Sequence, residues 1–200
     1  YDALGGSIAG GEFNIAIGNY SLDANTTGDN NTAVGYAALT ANTTGTTNTA
    51  TGYYSLKSNT TGSGNTASGI RSLQENTEGD YNTAFGNQSL RLNTTGTNNT
   101  ASGYLSLYSN TTAHYNTAIG FSALFDANRT TDTDGYNVAL GYNAGNTGTN
   151  DVTTGNKNTL LGASTAASAA AGTNQTVIGY GASGPADNSV TLGNASVTAV

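Results

Sequence analysis

The stretch Asn99–Gly120, NTASGYLSLYSNTTAHYNTAIG, contains the motif Asn-Thr-Ala twice, 17 residues apart. The same interval separates the asparagines that open seven consecutive units, which are Asn14, Asn31, Asn48, Asn65, Asn82, Asn99 and Asn116. In every unit Gly follows four residues after this Asn and Leu follows eight residues after it, so the consensus is N-T-A-x-G-x-x-[SA]-L-x-x-N-T-T-G-x-x. A constant period of this kind predicts a repeat protein of stacked units.

The pattern continues with variable spacing to the C-terminal end. Further units open at Asn137, Asn158, Gln175 and Ser189, which makes eleven units in all. The changes in length fall in the turn half of the unit, as expected for solvent-facing loops that tolerate insertion. We therefore expect one repeat domain over 1–200. It has an irregular first coil at 1–13, regular coils with a final insertion over 14–136, and coils of variable length over 137–200.

The composition excludes the common classes of soluble protein. Val, Ile, Leu and Phe account for only 31 of 200 residues, yet only 17 residues are charged, whereas disordered chains combine low hydrophobicity with high charge. Gly recurs in every unit and β-branched Thr is abundant, and both disfavour helix interiors. The composition favours a repetitive structure held by backbone hydrogen bonds and by ladders of identical side chains.

Each unit has the residues of one solenoid coil. The Thr-Ala-x segment before the Gly and the segment through the Leu predict two short strands, and Asn-Thr-Thr-Gly is typical of a turn. Repeated at constant length, this order predicts an all-β fold, a parallel β-solenoid with one coil per unit. Adjacent coils about 4.8 Å apart would make eleven coils into a rod of roughly 50 Å.

Two positions of the unit are predicted to form the core. The third position is Ala in eight of the eleven units, where a small side chain suits close backbone approach. The fourth position and the Leu of the second segment are the expected core positions inside the coil. The predicted core residues are Ile17, Leu22, Val34, Leu39, Leu56, Leu73, Phe85, Leu90, Leu107, Ile119 and Leu124.

The core of a single chain is thin, because one Leu and one other apolar residue must offset the ordering of a whole coil. Additional apolar residues stand at the sixth and seventh positions of the unit, and we interpret them as a subunit interface. A cluster beneath a loop is the alternative. The predicted interface residues are Tyr20, Tyr36, Tyr53, Ile70, Tyr104, Phe121, Tyr142 and Tyr180.

The segment Asn188–Gly193, NSVTLG, resembles the repeat of the left-handed parallel β-roll heads of trimeric autotransporter adhesins, the YadA-like family. Asn31–Gly35, NTAVG, and its equivalents match more loosely, on a coil longer than the 14-residue spacing of the family. The resemblance covers nearly the whole chain. It implies a homotrimer of left-handed β-rolls on a bacterial cell surface, with an adhesive role toward a surface receptor, a glycan or a matrix ligand.

The C-terminal residues 186–200 resemble the segment that precedes the intramolecular chaperone domain of phage tail fibres and related bacterial fibres. This resemblance implies an extracellular fibre, on a virion or on a cell. Tyr1 is not a natural start, so we expect the chain to be a piece of a longer protein, with any signal peptide or anchor outside it. Five Lys and Arg residues cannot form a nucleic-acid-binding stripe, and no apolar run is long enough to predict membrane insertion within this segment.

No catalytic constellation is evident, so we predict neither an enzyme nor a cofactor. His114, the only histidine, stands in the turn half of its coil and is expected to be a solvated loop residue. A Ser-His-Asp site from His114 and Asp126 has nothing to fix its geometry. Asp132 and Asp134 are spaced like the start of an EF-hand loop but lack its Glu, so no metal site is predicted. Ligand contacts, if the chain makes them, are expected in the irregular segments 125–136, 146–157 and 165–174.

The Thr pairs of the turn raise an alternative function, a monomeric Thr-rich β-solenoid that binds ice. These pairs include Thr43-Thr44 and Thr60-Thr61, and they recur at equal spacing. Ice-binding solenoids present Thr-x-Thr, with both hydroxyls on one face, whereas adjacent residues of a strand point to opposite faces. The turn pairs therefore fit this function poorly, and the trimeric fibre is the favoured interpretation.

Overall fold

A computed structural model describes residues 3–4, 10–130 and 134–197. Over these residues the chain contains eleven strands of three residues each and no helix. The strands are β1 (Ile15–Ile17), β2 (Thr32–Val34), β3 (Thr49–Thr51), β4 (Thr66–Ser68), β5 (Thr83–Phe85), β6 (Thr100–Ser102), β7 (Thr117–Ile119), β8 (Val138–Leu140), β9 (Thr159–Leu161), β10 (Thr176–Ile178) and β11 (Val190–Leu192). They form one parallel sheet in sequence order, so the predicted β-solenoid is confirmed.

The register places each position of the unit beside the same position of the next coil. Ala33 pairs with Ala50, and Ala50 pairs with Ala67. The pairing persists where the sequence interval grows, since Ala118 pairs with Ala139 across the insertion. The strands thus keep their alignment while the turn half of the coil absorbs the changes in length.

Each coil has one strand, so the predicted second strand is wrong. The segment through the Leu is a series of turns, and the Leu itself adopts a left-handed conformation, with φ of 52° at Leu39 and 50° at Leu56. A left-handed residue reverses the direction of an extended chain. Hydrogen bonds between coils nevertheless continue through these turns, as from the Leu39 N–H to the Ser55 carbonyl oxygen at 3.0 Å.

The interior of the solenoid contains the Leu side chains facing the Ala side chains of the strands. Every Leu of the predicted core is fully buried, and so is the third-position Ala from Ala33 onward through β8. The fourth position is not in this core, which corrects the prediction for Ile17, Val34, Phe85 and Ile119. Ile17, Phe85 and Ile119 are 60%, 48% and 41% exposed, and Val34 is only half-buried. Because side chains alternate along a strand, an inward third position forces the fourth position outward.

Two columns of buried asparagine side chains cross-link the coils. In the first column, at position one, the Asn48 side-chain oxygen accepts the backbone N–H of Asn65 at 2.9 Å. In the second, at position twelve, the Asn76 side-chain amide donates to the Asn59 side-chain oxygen at 2.7 Å and to the Gly79 carbonyl at 2.9 Å. Every polar group that the narrow interior buries here finds a partner, as burial away from water requires.

The Gly at position five turns the chain out of each strand. Its φ lies between 119° and 141° in coils one to ten, as at Gly35 with 138°. A Cβ on Gly35 would lie 2.5 Å from the carbonyl oxygen of Gly52 in the next coil. Only glycine satisfies both the left-handed conformation and this close backbone approach, which explains why the residue recurs in every unit.

Candidate interaction surface

The strands present an extended outer face to solvent. The residues on either side of the inward third position point outward, as Thr49 and Thr51 do around the buried Ala50. We define the outer face by positions two, four and six of the eleven coils. Position two comprises Ile15, Thr32, Thr49, Thr66, Thr83, Thr100, Thr117, Val138, Thr159, Thr176 and Val190; position four comprises Ile17, Val34, Thr51, Ser68, Phe85, Ser102, Ile119, Leu140, Leu161, Ile178 and Leu192; position six comprises Asn19, Tyr36, Tyr53, Ile70, Asn87, Tyr104, Phe121, Tyr142, Ala163, Tyr180 and Asn194.

The outer face is free of charge in sequence. None of the 17 charged residues of the chain occupies any of its three columns; they stand at other positions of the coil, as Lys57 and Arg91 do at position ten. Many of its members are large exposed hydrophobic residues, including Ile70 at 50% and Val138 at 45% exposure. A broad apolar surface without charges is typical of an interaction site.

The fourth-position column divides the outer face into two parts. In the first six coils apolar and hydroxyl side chains mix, with Thr51, Ser68 and Ser102 among them. In the last five coils every member is aliphatic. These members are Ile119, Leu140, Leu161, Ile178 and Leu192. The C-terminal part therefore presents a continuous apolar stripe along the rod.

The predicted interface residues at positions six and seven are exposed and arranged in ring ladders. Tyr20, Tyr36 and Tyr53 follow one another with ring centroids 5.6 and 5.4 Å apart. A second ladder joins Tyr104, Phe121 and Tyr142, each step 5.3 Å. The eight predicted residues are 40–76% exposed, so the alternative of a cluster beneath a loop is excluded.

A threonine column borders the apolar stripe at position two. Thr stands there in eight of the eleven coils, six of them consecutive from Thr32 to Thr117, and its side chain points outward. The turn pairs behave differently, because the first Thr hydroxyl of a pair bonds the next coil, as Thr43 Oγ1 does to the Thr60 carbonyl oxygen at 3.0 Å. The sequence pattern of the strands, rather than that of the turns, thus provides the regular outward hydroxyls.

His114 is a structural acceptor and not the solvated loop residue that we predicted. Its Nδ1 accepts the backbone N–H of Thr97 at 2.9 Å, so this nitrogen carries no proton and Nε2 carries one. The same position in other coils does the same work, since Asp80 Oδ1 accepts the Ser63 N–H at 2.7 Å. A comparison of position sixteen across the units would have indicated this role, because its residues all have acceptor side chains in such coils.

The irregular segments bring together two carboxylates but no metal ligand set. Partial burial, with Asp151 nearby, raises the pKa of Asp126. Asp151 Oδ1 accepts the backbone N–H groups of Thr147 and Gly148 at 2.5 and 2.6 Å, which orders the loop. Asp132 lies outside the described residues, and Asp134 accepts the Tyr136 hydroxyl at 3.2 Å. Among the described residues no three His, Cys, Asp or Glu side chains are grouped as a metal site requires.

The fold and the outer face define the chain as a parallel β-solenoid repeat protein with an uncharged sheet surface. Over the part of the chain that the structure describes, no helix has the length and apolarity to cross a membrane. Comparisons with protein-family models, with curated proteins and with solved structures find no match for this chain. The functional argument therefore rests on the surface itself.

Proposed function

We propose that this chain is a structural and attachment segment of a homotrimeric extracellular fibre, of the kind found in bacterial adhesin heads and phage tail fibres. Three left-handed rolls pack around an axis parallel to the rod through their outer faces. The observation that carries the proposal is the absence of any charge from the outer face, together with its aliphatic stripe in the last five coils.

The outer face has the size and chemistry that stable association requires. Ten steps of about 4.8 Å along the rod and four residue steps of about 3.3 Å across it give an area of roughly 600 Å² for the backbone strip alone. Projecting side chains widen this area toward the about 800 Å² per partner of a standard interface. Because the face has no charge, its burial leaves no ion without a partner.

A cyclic arrangement also suits the repeat. When the axis is parallel to the rod, each coil of one copy meets the same coils of the other copies, and identical columns face one another. The fourth-position residues, which the strand geometry excludes from the interior, then become buried between chains. The trimer thereby supplies the apolar burial that the narrow interior lacks.

Attachment is assigned to the irregular segments 125–136, 146–157 and 165–174, which leave the outer face free. Exposed residues such as Gly148 and Ala170 place parts of the latter two segments at the solvent surface. A surface receptor, a glycan or a matrix ligand is the expected partner. Binding to immobilised glycans or matrix proteins tests this assignment, and a chain with Asn146–Asp151 replaced by a short Gly-Ser linker should lose binding while keeping its assembly state.

Ice binding is the second candidate function, and one observation favours it. The threonine column at position two runs along a parallel sheet with a repeat of about 4.8 Å, close to the repeat of water molecules on a face of ice. The fourth-position column beside it varies from Ser68 to Phe85, which makes the surface uneven. Ice binding and trimer formation would use the same face, so each excludes the other.

One pair of measurements separates the two functions. Sedimentation equilibrium of the purified chain should give a mass three times that of the 20.0 kDa monomer, and an ice-recrystallisation assay should show no inhibition. A species that stays monomeric at high protein concentration would contradict the trimer. If that monomer also inhibits ice recrystallisation, and Thr83→Lys abolishes the inhibition, the second function replaces the first.

A further inference from the structure

Two tyrosines stack across the inserted segment of the solenoid. Tyr115 and Tyr136 each precede the opening Asn of their unit, so they occupy the same position of neighbouring coils. Their rings are 5.0 Å apart between centroids and inclined by only 3°. They are 44% and 46% exposed, and therefore reach solvent. The paired strands of the two coils hold the rings together although 21 residues separate them in sequence.

A proton acceptor lies beside this pair. The Tyr136 hydroxyl donates to Asp134 Oδ2 at 3.2 Å. A phenol that loses an electron becomes a strong acid, so a carboxylate already bonded to the hydroxyl accepts its proton without rearrangement. This contact favours the one-electron oxidation of Tyr136 over that of a phenol without such an acceptor.

The composition directs oxidation to tyrosine. The chain has no Cys, no Met and no Trp, but it has 12 Tyr. The sulfur side chains are common targets of oxidants, and here they are missing from the sequence. Phenol rings are therefore the main side chains from which a one-electron oxidant can draw electrons.

We propose that Tyr115 and Tyr136 are a site of oxidative cross-linking, at which hydrogen peroxide and a haem peroxidase join the two rings as dityrosine. Each phenol gives up one electron and its hydroxyl proton. The two phenoxyl radicals then form a carbon–carbon bond between ring carbons ortho to the oxygens. The two displaced ring hydrogens move to the oxygens and restore both phenols. Two electrons and two protons reduce one hydrogen peroxide to two waters, and the protein loses two hydrogen atoms.

The stacked geometry supplies the proximity that coupling requires. Two radicals held side by side combine with an effective concentration far above that of separate chains. Tyr36 and Tyr53 form a second pair of this kind, with centroids 5.4 Å apart and planes inclined by 16°. In the ladder of Tyr104 and Tyr142, by contrast, Phe121 stands between the two phenols and has no hydroxyl to oxidise.

The cross-link would act as a covalent clamp in a chain that has no cysteine. It closes a loop over residues 115–136, which contains the insertion between β7 and β8. A closed loop reduces the conformational freedom of the unfolded chain, which is one account of how disulfides stabilise proteins. The proposal concerns contacts within one chain, so it holds whether or not the chain forms a trimer.

The position of Arg129 makes the cross-link directly measurable. Trypsin cuts after Arg91, Arg129 and Lys157, which separates Tyr115 in peptide 92–129 from Tyr136 in peptide 130–157. The full chain is treated with horseradish peroxidase and hydrogen peroxide, digested and examined by mass spectrometry. We expect the two peptides as one covalent pair that lacks two hydrogen atoms. A mixture of ¹⁵N-labelled and unlabelled chains should give pairs of uniform label only.

Two variants identify the residues. Tyr136→Phe should abolish the linked pair, whereas the matched control Tyr81→Phe should leave its yield unchanged, because Tyr81 occupies the same position of a coil whose neighbours there are Gly64 and Asn98. Persistence of the pair in Tyr136→Phe would overturn the assignment, since Tyr142 lies on the same peptide. Pairs of mixed label would also overturn it, as would the absence of the pair under conditions that couple free tyrosine.

Discussion

The first seven coils and the last four fill the same narrow interior with different side chains. In the first seven, a buried Leu at position nine faces a small residue at position three. In the eighth coil position nine is Gly145, and a Cβ there would lie 2.8 Å from Leu124 and 3.0 Å from Leu160. Leu160 occupies position three of the ninth coil and is 1% exposed. The large residue has moved to the opposite wall, and the interior stays filled.

The polar interior differs between the two regions as well. The position-twelve column of asparagines runs from Asn25 to Asn110, where the next coil has Ala127 instead. As a result the Asn110 side-chain oxygen is buried without a hydrogen-bond partner in the described structure. The outer aliphatic stripe begins in that next coil, with Ile119. Where the internal ladder ends, apolar residues on the outside take its place, so we expect the C-terminal coils to depend most on a partner chain.

Exchanging the fourth-position residues between the regions is the strongest test of this dependence. The double variant Leu140→Ser, Leu161→Ser should dissociate the trimer, because each Leu that loses its burial costs about 1.5–3 kcal/mol per chain. The reverse exchange, Ser68→Leu with Ser102→Leu, should tighten it. Sedimentation over a concentration series measures both. Equal trimer stability in the two doubles would show that the outer face is not the contact surface.

Truncating the core Leu on either wall should cost nearly as much. Leu90→Ala removes a fully buried side chain in a regular coil, and Leu160→Ala removes its counterpart from the opposite wall. Both should lower the free energy of unfolding by about 2–5 kcal/mol, since a cavity adds to the lost burial. Urea unfolding followed by circular dichroism gives the values. A small loss for Leu160→Ala alone would refute the exchange of the large residue between walls.

The asparagine column offers an internal comparison of its middle with its end. Asn76→Ala removes two donated hydrogen bonds and deprives the Asn93 amide of one of its acceptors, at 2.7 Å. Asn110→Ala also removes two donated bonds, but its own side-chain oxygen has no partner to lose. We expect Asn76→Ala to destabilise the chain by about 1–3 kcal/mol more than Asn110→Ala, from the added unsatisfied group. Equal losses would mean that the column acts bond by bond.

The sequence predicted the repeat architecture because its signal is redundant. Seven exact intervals of Asn, Gly and Leu define the coil, and the parallel register follows from stacking identical units. The second strand was mispredicted because Leu rarely adopts a left-handed conformation, and only the stacked coils impose it. No local propensity of Leu39 or Leu56 indicates such a φ.

The division between core and surface was only half predictable. Alternation correctly separates positions three and four, but Ala33 and Val34 do not themselves reveal which of them points inward, and hydrophobicity favours the larger one. The width of the coil decides, because a Leu on the opposite wall leaves room only for Ala. The absence of charge from positions two, four and six was the available signal that this face is the special surface.

His114 permits the most delicate comparison, one in which the side chain changes and the hydrogen bond remains. His114→Ala leaves the Thr97 N–H without its acceptor and should cost about 0.5–1.5 kcal/mol, the usual net value of one such bond. His114→Asp should recover most of this loss, because Asp80 and Asp187 accept the equivalent N–H groups at 2.7 and 2.8 Å. Urea unfolding at neutral pH measures both variants. If His114→Asp proved as unstable as His114→Ala, the imidazole would contribute by packing against Tyr115, whose ring lies 6.1 Å away, and the shared acceptor role of this position would fail.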